Sequence, residues 1–173
     1  MGDHIIDTNV LLVASAQDPG SPFKDSAVPA EQQLVVLKWL MKFRADRQRK
    51  VVLDQFFKIW EEYNHKMTGQ DLGLLVVMEK LQSASVRFVD VAYDEHGHGC
   101  LPPELENVIH DRSDRKFVAV AHIDRCQGGQ STIVNAVDTD WYDWEEALKG
   151  HGIVVIHLID RIKRDKPRIK PKR

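Results

Sequence analysis

Cysteine is scarce in this chain. Cys100 and Cys126 are the only two in 173 residues, too few and too far apart for a disulfide framework, which points to a reducing cytoplasm. Long apolar runs are missing as well. None approaches the roughly eighteen residues that a membrane-spanning helix needs. The first apolar stretch is interrupted by Asp7 and Asn9 and has no basic leader, so no signal peptide is expected. There is no internal repeat, and no low-complexity segment apart from a basic stretch at 161–173. These absences exclude disulfide-stapled scaffolds, integral membrane helices and solenoids.

What remains is an ordinary globular balance, 43% hydrophobic and 29% charged, enough for one domain with a sizeable core. The net charge of −2 hides an asymmetry. Residues 161–173, "RIKRDKPRIKPKR", hold eight Lys/Arg and one Asp. Taken from totals of 24 and 26, that leaves sixteen basic and twenty-five acidic residues in 1–160, a balance of −9. An acidic body with a basic tail suits either a solvated end or an arm that meets phosphates.

Five short segments rich in Val and Ile read as strands: 4–6, 50–54, 85–91, 131–137 and 153–158. Helical patterns lie between them. "EQQLVVLKWLMKFRADRQ" puts Leu34, Leu37, Leu40/Met41 and Arg44 on one stripe. "QFFKIWEEYNHKM" does the same with Phe56, Ile59/Trp60, Tyr63 and Met67. "DLGLLVVMEKLQ", "DRKFVAVAHIDR" and "WYDWEEALKG" follow, the last stopping at Gly150. Segments 17–29 and 93–104, rich in Pro or Gly, read as irregular. Strands alternating with helices predict one α/β domain with a mostly parallel sheet covered on both faces.

In such sheets ligands bind beyond the carboxyl ends of the strands, and that is where the acids fall. Asp7 ends the first strand and Asp54 the second. Glu61 and Glu62 sit in the helix behind Asp54, and periodicity does not choose between them, since both flank its apolar stripe. Asp138 and Asp140 end the fourth strand, and Asp111 and Asp114 open the helix that feeds it. Clustered carboxylates repel unless a cation neutralises them, and hard oxygen donors suit Mg²⁺ or Mn²⁺. Each acid also has a plainer reading. Asp7, Asp54 and Asp140 can cap helices, Asp54 most readily, and Asp111 and Asp114 can answer a helix dipole.

The remaining chemistry is weaker. Glu95-His96-Gly97-His98-Gly99-Cys100 has zinc-ligand residues but no partner knuckle, and reads as a flexible loop. Cys126 reads as buried and inert. Trp39, Trp60, Trp141 and Trp144 read as core, with base stacking an option for Trp141 and Trp144. "VDTDW" lacks the long following chain of a haloacid-dehalogenase-type phosphatase. "HIIDTN" lacks the paired acids of a receiver domain.

Taken together, "IIDTNVLL", "VVLDQFFKIWEEYNHKM", "DRSDRKFVAVAHID" and "NAVDTDW" resemble, in order and spacing over roughly residues 3–158, the PIN domain family of metal-dependent nucleases. The resemblance implies a PIN-like domain over 1–160 followed by a basic tail, 161–173. It implies a three-layer α/β/α sandwich around a five-stranded parallel sheet in the order 3-2-1-4-5. It makes Asp7, Glu62, Asp114 and Asp138 catalytic acids that hold the metal, with Asp140 as a further ligand. Glu62 is chosen because it directly precedes the aromatic Tyr63. Thr8, Asn9 and Asp111 become accessory residues. The implied activity is hydrolysis of RNA phosphodiesters with Mg²⁺ or Mn²⁺. The implied partners are single-stranded or structured RNA, an antitoxin or regulatory protein as in toxin–antitoxin systems, and a second copy of the chain. Arg112, Arg115, Lys116, Lys163 and Arg164 become candidates to meet the phosphate backbone. The alternative is a PIN-like module that binds RNA or protein without cutting. Two departures stand out. Ala136-Val137 replaces the usual Thr-Gly before the last acid, leaving its supporting role to Asn135 or Thr139, and the loop 17–29 is long.

Overall fold

The computed structural model describes residues 2–23 and 27–160. The basic tail, with Lys163 and Arg164, lies outside the described residues, as does the middle of the long loop. The five expected strands are β1 (His4–Ile6), β2 (Val51–Asp54), β3 (Val86–Val89), β4 (Thr132–Asn135) and β5 (Val154–His157). They form one all-parallel sheet in the order β3-β2-β1-β4-β5. β1 is central, and Ile5 pairs in register with Ile133 and Ile6 with Val134. Continuous burial of β1 and β2 explains why both lack the alternating pattern of a half-exposed strand.

Seven helices surround the sheet among the described residues: α1 (Thr8–Ser15), α2 (Ala30–Ala45), α3 (Lys58–Lys66), α4 (Leu72–Gln82), α5 (Pro103–Glu106), α6 (Arg115–Cys126) and α7 (Asp140–Gly150). α1, α2 and α4 pack on one another, whereas α6 packs over β1 to β4 and meets α3. α7 lies against β5. Gly73 makes the approach of α4 to α1 possible, because a Cβ there would stand 2.5 Å from the carbonyl oxygen of Leu11. The vacated space lets the Gly73 N–H donate to Ser15 Oγ at 2.9 Å. No helix among the described residues is long and apolar enough to cross a membrane.

Three expectations are corrected by the packing. α2 buries Gln33, Val36, Leu40 and Phe43, so that of the expected stripe through Leu34, Leu37, Leu40/Met41 and Arg44 only Leu40 is buried. Leu34, Val35 and Met41 are exposed. The helix is rich in apolar residues on several sides, so periodicity did not identify the face that meets α1 and α4. Phe56 leaves its stripe because α3 begins only at Lys58, after Phe57 in a left-handed conformation (φ 60°). Ile59, Tyr63 and Met67 keep the expected face. Cys126, expected to be buried, is exposed, with Sγ 3.7 Å from His122 Nε2 one turn earlier. His122 is itself only partly buried, so Cys126 continues a side of α6 that the core does not cover.

Candidate active site

The carboxyl end of β1 runs straight into α1, and Asp7 sits at the junction. Its backbone is extended, as an N-cap requires, and its Oδ1 accepts the N–H of Asn9 at 3.0 Å. The cap reading is therefore correct, but a cap needs only one oxygen. The other, Oδ2, accepts the indole N–H of Trp141 at 2.5 Å. Asp7 is 5% exposed. Burial, opposed by these two bonds and reinforced by the charges of Asp138 and Glu62, pushes its carboxyl up to about 6.

Asn9, the second residue of α1, ties β1 to β4. Its Nδ2 donates to Asn135 Oδ1 at 3.0 Å, and its Oδ1 accepts the Ala136 N–H at 2.8 Å. Asn135 is fully buried and extends the bridge: Nδ2 donates to the Asp138 carbonyl at 2.8 Å, and Oδ1 accepts the Asp138 N–H at 3.1 Å. Of the two residues to which the resemblance leaves that supporting role, Asn135 is the one bonded to the backbone of Asp138. Asp138 in turn accepts the Asp140 N–H at 2.9 Å, capping α7 in the manner anticipated for Asp140. Asp140 is exposed in the first turn of that helix.

The second strand contributes differently. Asp54 is fully buried, and its two oxygens accept the N–H groups of Lys58 and Ile59 at 2.9 and 2.8 Å, so it serves as the cap of α3 from within the strand. The choice between Glu61 and Glu62 is made by the helix's placement. Glu61 is exposed and pairs with Lys58 at 3.0 Å, whereas Glu62 Oε1 accepts the Thr8 hydroxyl at 2.5 Å. Glu62 also meets the ammonium groups of Lys116 and, at 3.3 Å, Lys66. Burial pushes Glu62 up, but the bonds from Lys116 and Thr8 outweigh it and hold the carboxyl below its ordinary value. Next to it Tyr63 is fully buried and donates its hydroxyl to the Ile6 carbonyl, locking α3 to the end of β1.

Asp114 occupies the N-cap position of α6 without a side-chain cap bond. It is 8% exposed, and its Oδ2 is buried with no hydrogen-bond partner among the described residues. Burial first, then the charges of Asp7, Asp111 and Asp138, push its carboxyl up to about 8, against a smaller opposing pull from Lys116. Asp111 lies outside and accepts from Ser113 N–H and Oγ at 2.8 and 2.6 Å. Those bonds lower its carboxyl.

The fold therefore gathers Asp7, Glu62, Asp114 and Asp138 at one edge of the sheet, with Thr8, Asn9 and Asp111 around them. Among the described residues, no three His, Cys, Asp or Glu side chains are arranged to hold a metal ion. This holds for the loop of His96, His98 and Cys100 and for the acidic edge alike. At the edge the acids interact through space, and the chain's own donors occupy Asp7 and Glu62. In kind, the donor set fits a hard divalent cation: carboxylate oxygens only, mutually repelling, one of them buried and unpaired.

The basic candidates divide. Arg112 is exposed. Arg115 clamps the preceding loop, donating to Glu106 Oε1 at 2.9 Å and to the carbonyls of Ile109 and Glu106. Lys116 is turned onto Glu62. The feature missed by sequence reasoning is Trp141. It is fully buried, which agrees with its reading as core and removes it as a stacking platform. Its indole N–H demanded an acceptor all the same, and the sequence signal was its place three residues after Asp138.

Comparison with family models, with characterised proteins and with solved structures gives no match for this chain.

Proposed function

We propose that this protein is a PIN-type, metal-dependent endoribonuclease. The observation that carries the reading is Asp114, a buried carboxylate with an unpaired oxygen, facing the charges of Asp7 and Asp138 at the carboxyl edge of a 3-2-1-4-5 parallel sheet. As an anion such a group is costly, so without a cation it keeps its proton up to about pH 8, and a bound cation would favour its charged form. Asp7, Asp114 and Asp138 are the residues assigned to hold Mg²⁺ or Mn²⁺, with Glu62 completing the acidic set from α3. When bound, the ion supplies charge stabilisation at phosphorus and an activated water.

The chain's own residues account for the rest. Trp141 and the Asn9 N–H fix both oxygens of Asp7, so the carboxylate keeps its orientation without a ligand. The Asn9–Asn135 bridge holds the ends of β1 and β4 at one spacing, and with it Asp7 and Asp138. Tyr63 fixes the approach of Glu62 by anchoring its helix to Ile6. RNA is the assigned substrate on the motif resemblance, and Arg112 is the exposed cation beside Asp111 and Asp114 suited to a phosphate.

The test is cleavage of end-labelled single-stranded RNA and DNA with Mn²⁺ or Mg²⁺, comparing the wild type with Asp7→Asn and Asp114→Asn. Metal-dependent cutting of RNA that is lost in both variants supports the reading. Cutting that survives both substitutions overturns the site. Retention of RNA without cutting supports a binding module instead.

A further inference from the structure

Of the chain's six phenylalanines three are exposed, Phe56, Phe57 and Phe88, and they stand together. Phe56 and Phe57 lie in the turn that leaves β2 at the carboxyl edge of the sheet. Phe56 is 58% exposed, and its ring meets that of Tyr93 edge-on at 6.2 Å. The Phe57 ring is tilted against that of Phe88 at 5.2 Å. Single exposed apolar residues are ordinary on a protein surface, but adjoining ones mark a place where something binds.

The turn holds Phe57 against its own preference. Its backbone is left-handed (φ 60°, ψ 23°), a conformation that bulky L-residues avoid. The Phe57 N–H donates to the Asp54 carbonyl at 3.1 Å, and its carbonyl accepts the Glu61 N–H at 2.8 Å. The Asp54 carboxylate holds the next two N–H groups. Strain persists where the surroundings over-determine it, and burial does not account for this instance, since Phe57 is 44% exposed. What the turn fixes is a ring facing solvent. Phe57 is the N-cap of α3, and Glu62 stands five residues on, about 7.5 Å along the helix axis. Lys58, the adjacent cation, is paired with Glu61 at 3.0 Å, so the surface offers ring faces rather than free charge. Ring faces suit the bases of a strand, not its phosphates, and only bases that are not already stacked within a duplex.

We infer that Phe56, Phe57 and Phe88, with Tyr93, form a stacking platform for unpaired nucleobases, which brings single-stranded rather than double-stranded RNA to the acidic edge. The platform rests on the RNA-cleaving reading and specifies the form of its substrate.

The experiment measures binding of a short fluorescein-labelled oligouridine to the full chain by anisotropy in chelator, and its cleavage with Mn²⁺, with circular dichroism confirming the fold of each variant. The wild type is expected to bind the single strand more tightly than the same strand paired with oligoadenylate. Phe56→Leu and Phe57→Leu keep apolar bulk but lose the π face, and each should weaken binding by about tenfold. The factor should be the same at low and high salt, because no phosphate contact is lost. Phe56→Tyr and Phe57→Tyr keep the ring and should stay within about twofold of the wild type. Phe57→Gly takes the left-handed backbone without strain, so it should fold and bind as weakly as Phe57→Leu. Leucine variants as tight as the wild type, tyrosine variants as weak as the leucine ones, or a preference for the duplex overturn the platform. So does a wild type that retains no oligouridine. In each of these cases the nuclease reading stands if the wild type still cuts RNA and Asp7→Asn does not, and it falls with the platform if no RNA is cut.

Discussion

The indole Nε1–H of Trp141 donates to Oδ2 of Asp7 at 2.5 Å, joining residues 134 apart in sequence at the centre of the acidic edge. Both groups are buried, so neither has water as a substitute partner. Trp141→Phe keeps an aromatic ring in the core and leaves the Asp7 oxygen without a donor. Loss of the bond and the smaller ring together should destabilise the protein by about 2–4 kcal/mol. Urea unfolding of the two proteins measures it. RNA cleavage should fall as well, since Asp7 is then free to turn.

Asn9 and Asn135 act as one unit. Each supplies a hydrogen-bond partner to the other, and each also serves backbone groups of the turn that carries Asp138. Asn9→Ala and Asn135→Ala should each be destabilising, and the double variant should cost less than the sum by about 1–2 kcal/mol. A double-mutant cycle from unfolding curves gives the coupling. A value near zero would mean that the bridge does not join the two strand ends energetically.

Asp114 predicts an unusual pH dependence for the metal-free protein. Its carboxyl is raised from 3.8 to about 8, so between those values the folded chain holds a proton that the unfolded chain has released. Stability is then favoured on the acid side and is lost as pH rises. From pH 6.5 to 8 the loss should be about 1–2 kcal/mol. Asp114→Asn should flatten this slope, and Mn²⁺ should remove it by favouring the charged form. Thermal unfolding in chelator, repeated with Mn²⁺, measures all three.

His4 predicts the opposite sign at lower pH. It is buried, with Nδ1 2.8 Å from Thr132 Oγ1 and its ring against Trp39 and Phe43. Burial first, then the charge of Arg49, lowers it from 6.5 to about 4. The unfolded chain therefore takes up a proton before the folded one does. Its contribution is complete above pH 6.5 and is lost as pH falls toward 4, by roughly 2 kcal/mol. An NMR titration of the His4 ring should show it neutral at pH 5. A midpoint near 6.5 would contradict the burial argument.

Much of this architecture was legible in the residues. Five Val- and Ile-rich segments alternating with helical patterns required a parallel α/β sheet, since parallel strands need helical crossovers and burial on both faces. Asp7 and Asp138 were placed at strand ends by chain position alone, and Asp54 as a cap by the helix that follows it. The order of the strands came only through the resemblance, and the pairings of β1 with β2 and β4 agree with it.

Tertiary structure decided what local sequence leaves degenerate. Leu34 and Val36 are equally apolar, and only contact with α1 and α4 made the second core and the first surface. Glu61 and Glu62 flank one stripe symmetrically, and only the position of α1 gave Glu62 the Thr8 hydroxyl. Lys116 reads in sequence as one more charge at a helix start, where solvent is the usual partner. Its engagement with Glu62 exists because α3 and α6 pack side by side. Local propensity follows from neighbours within about a turn, whereas the charge that a residue meets depends on chain segments brought together by the whole core.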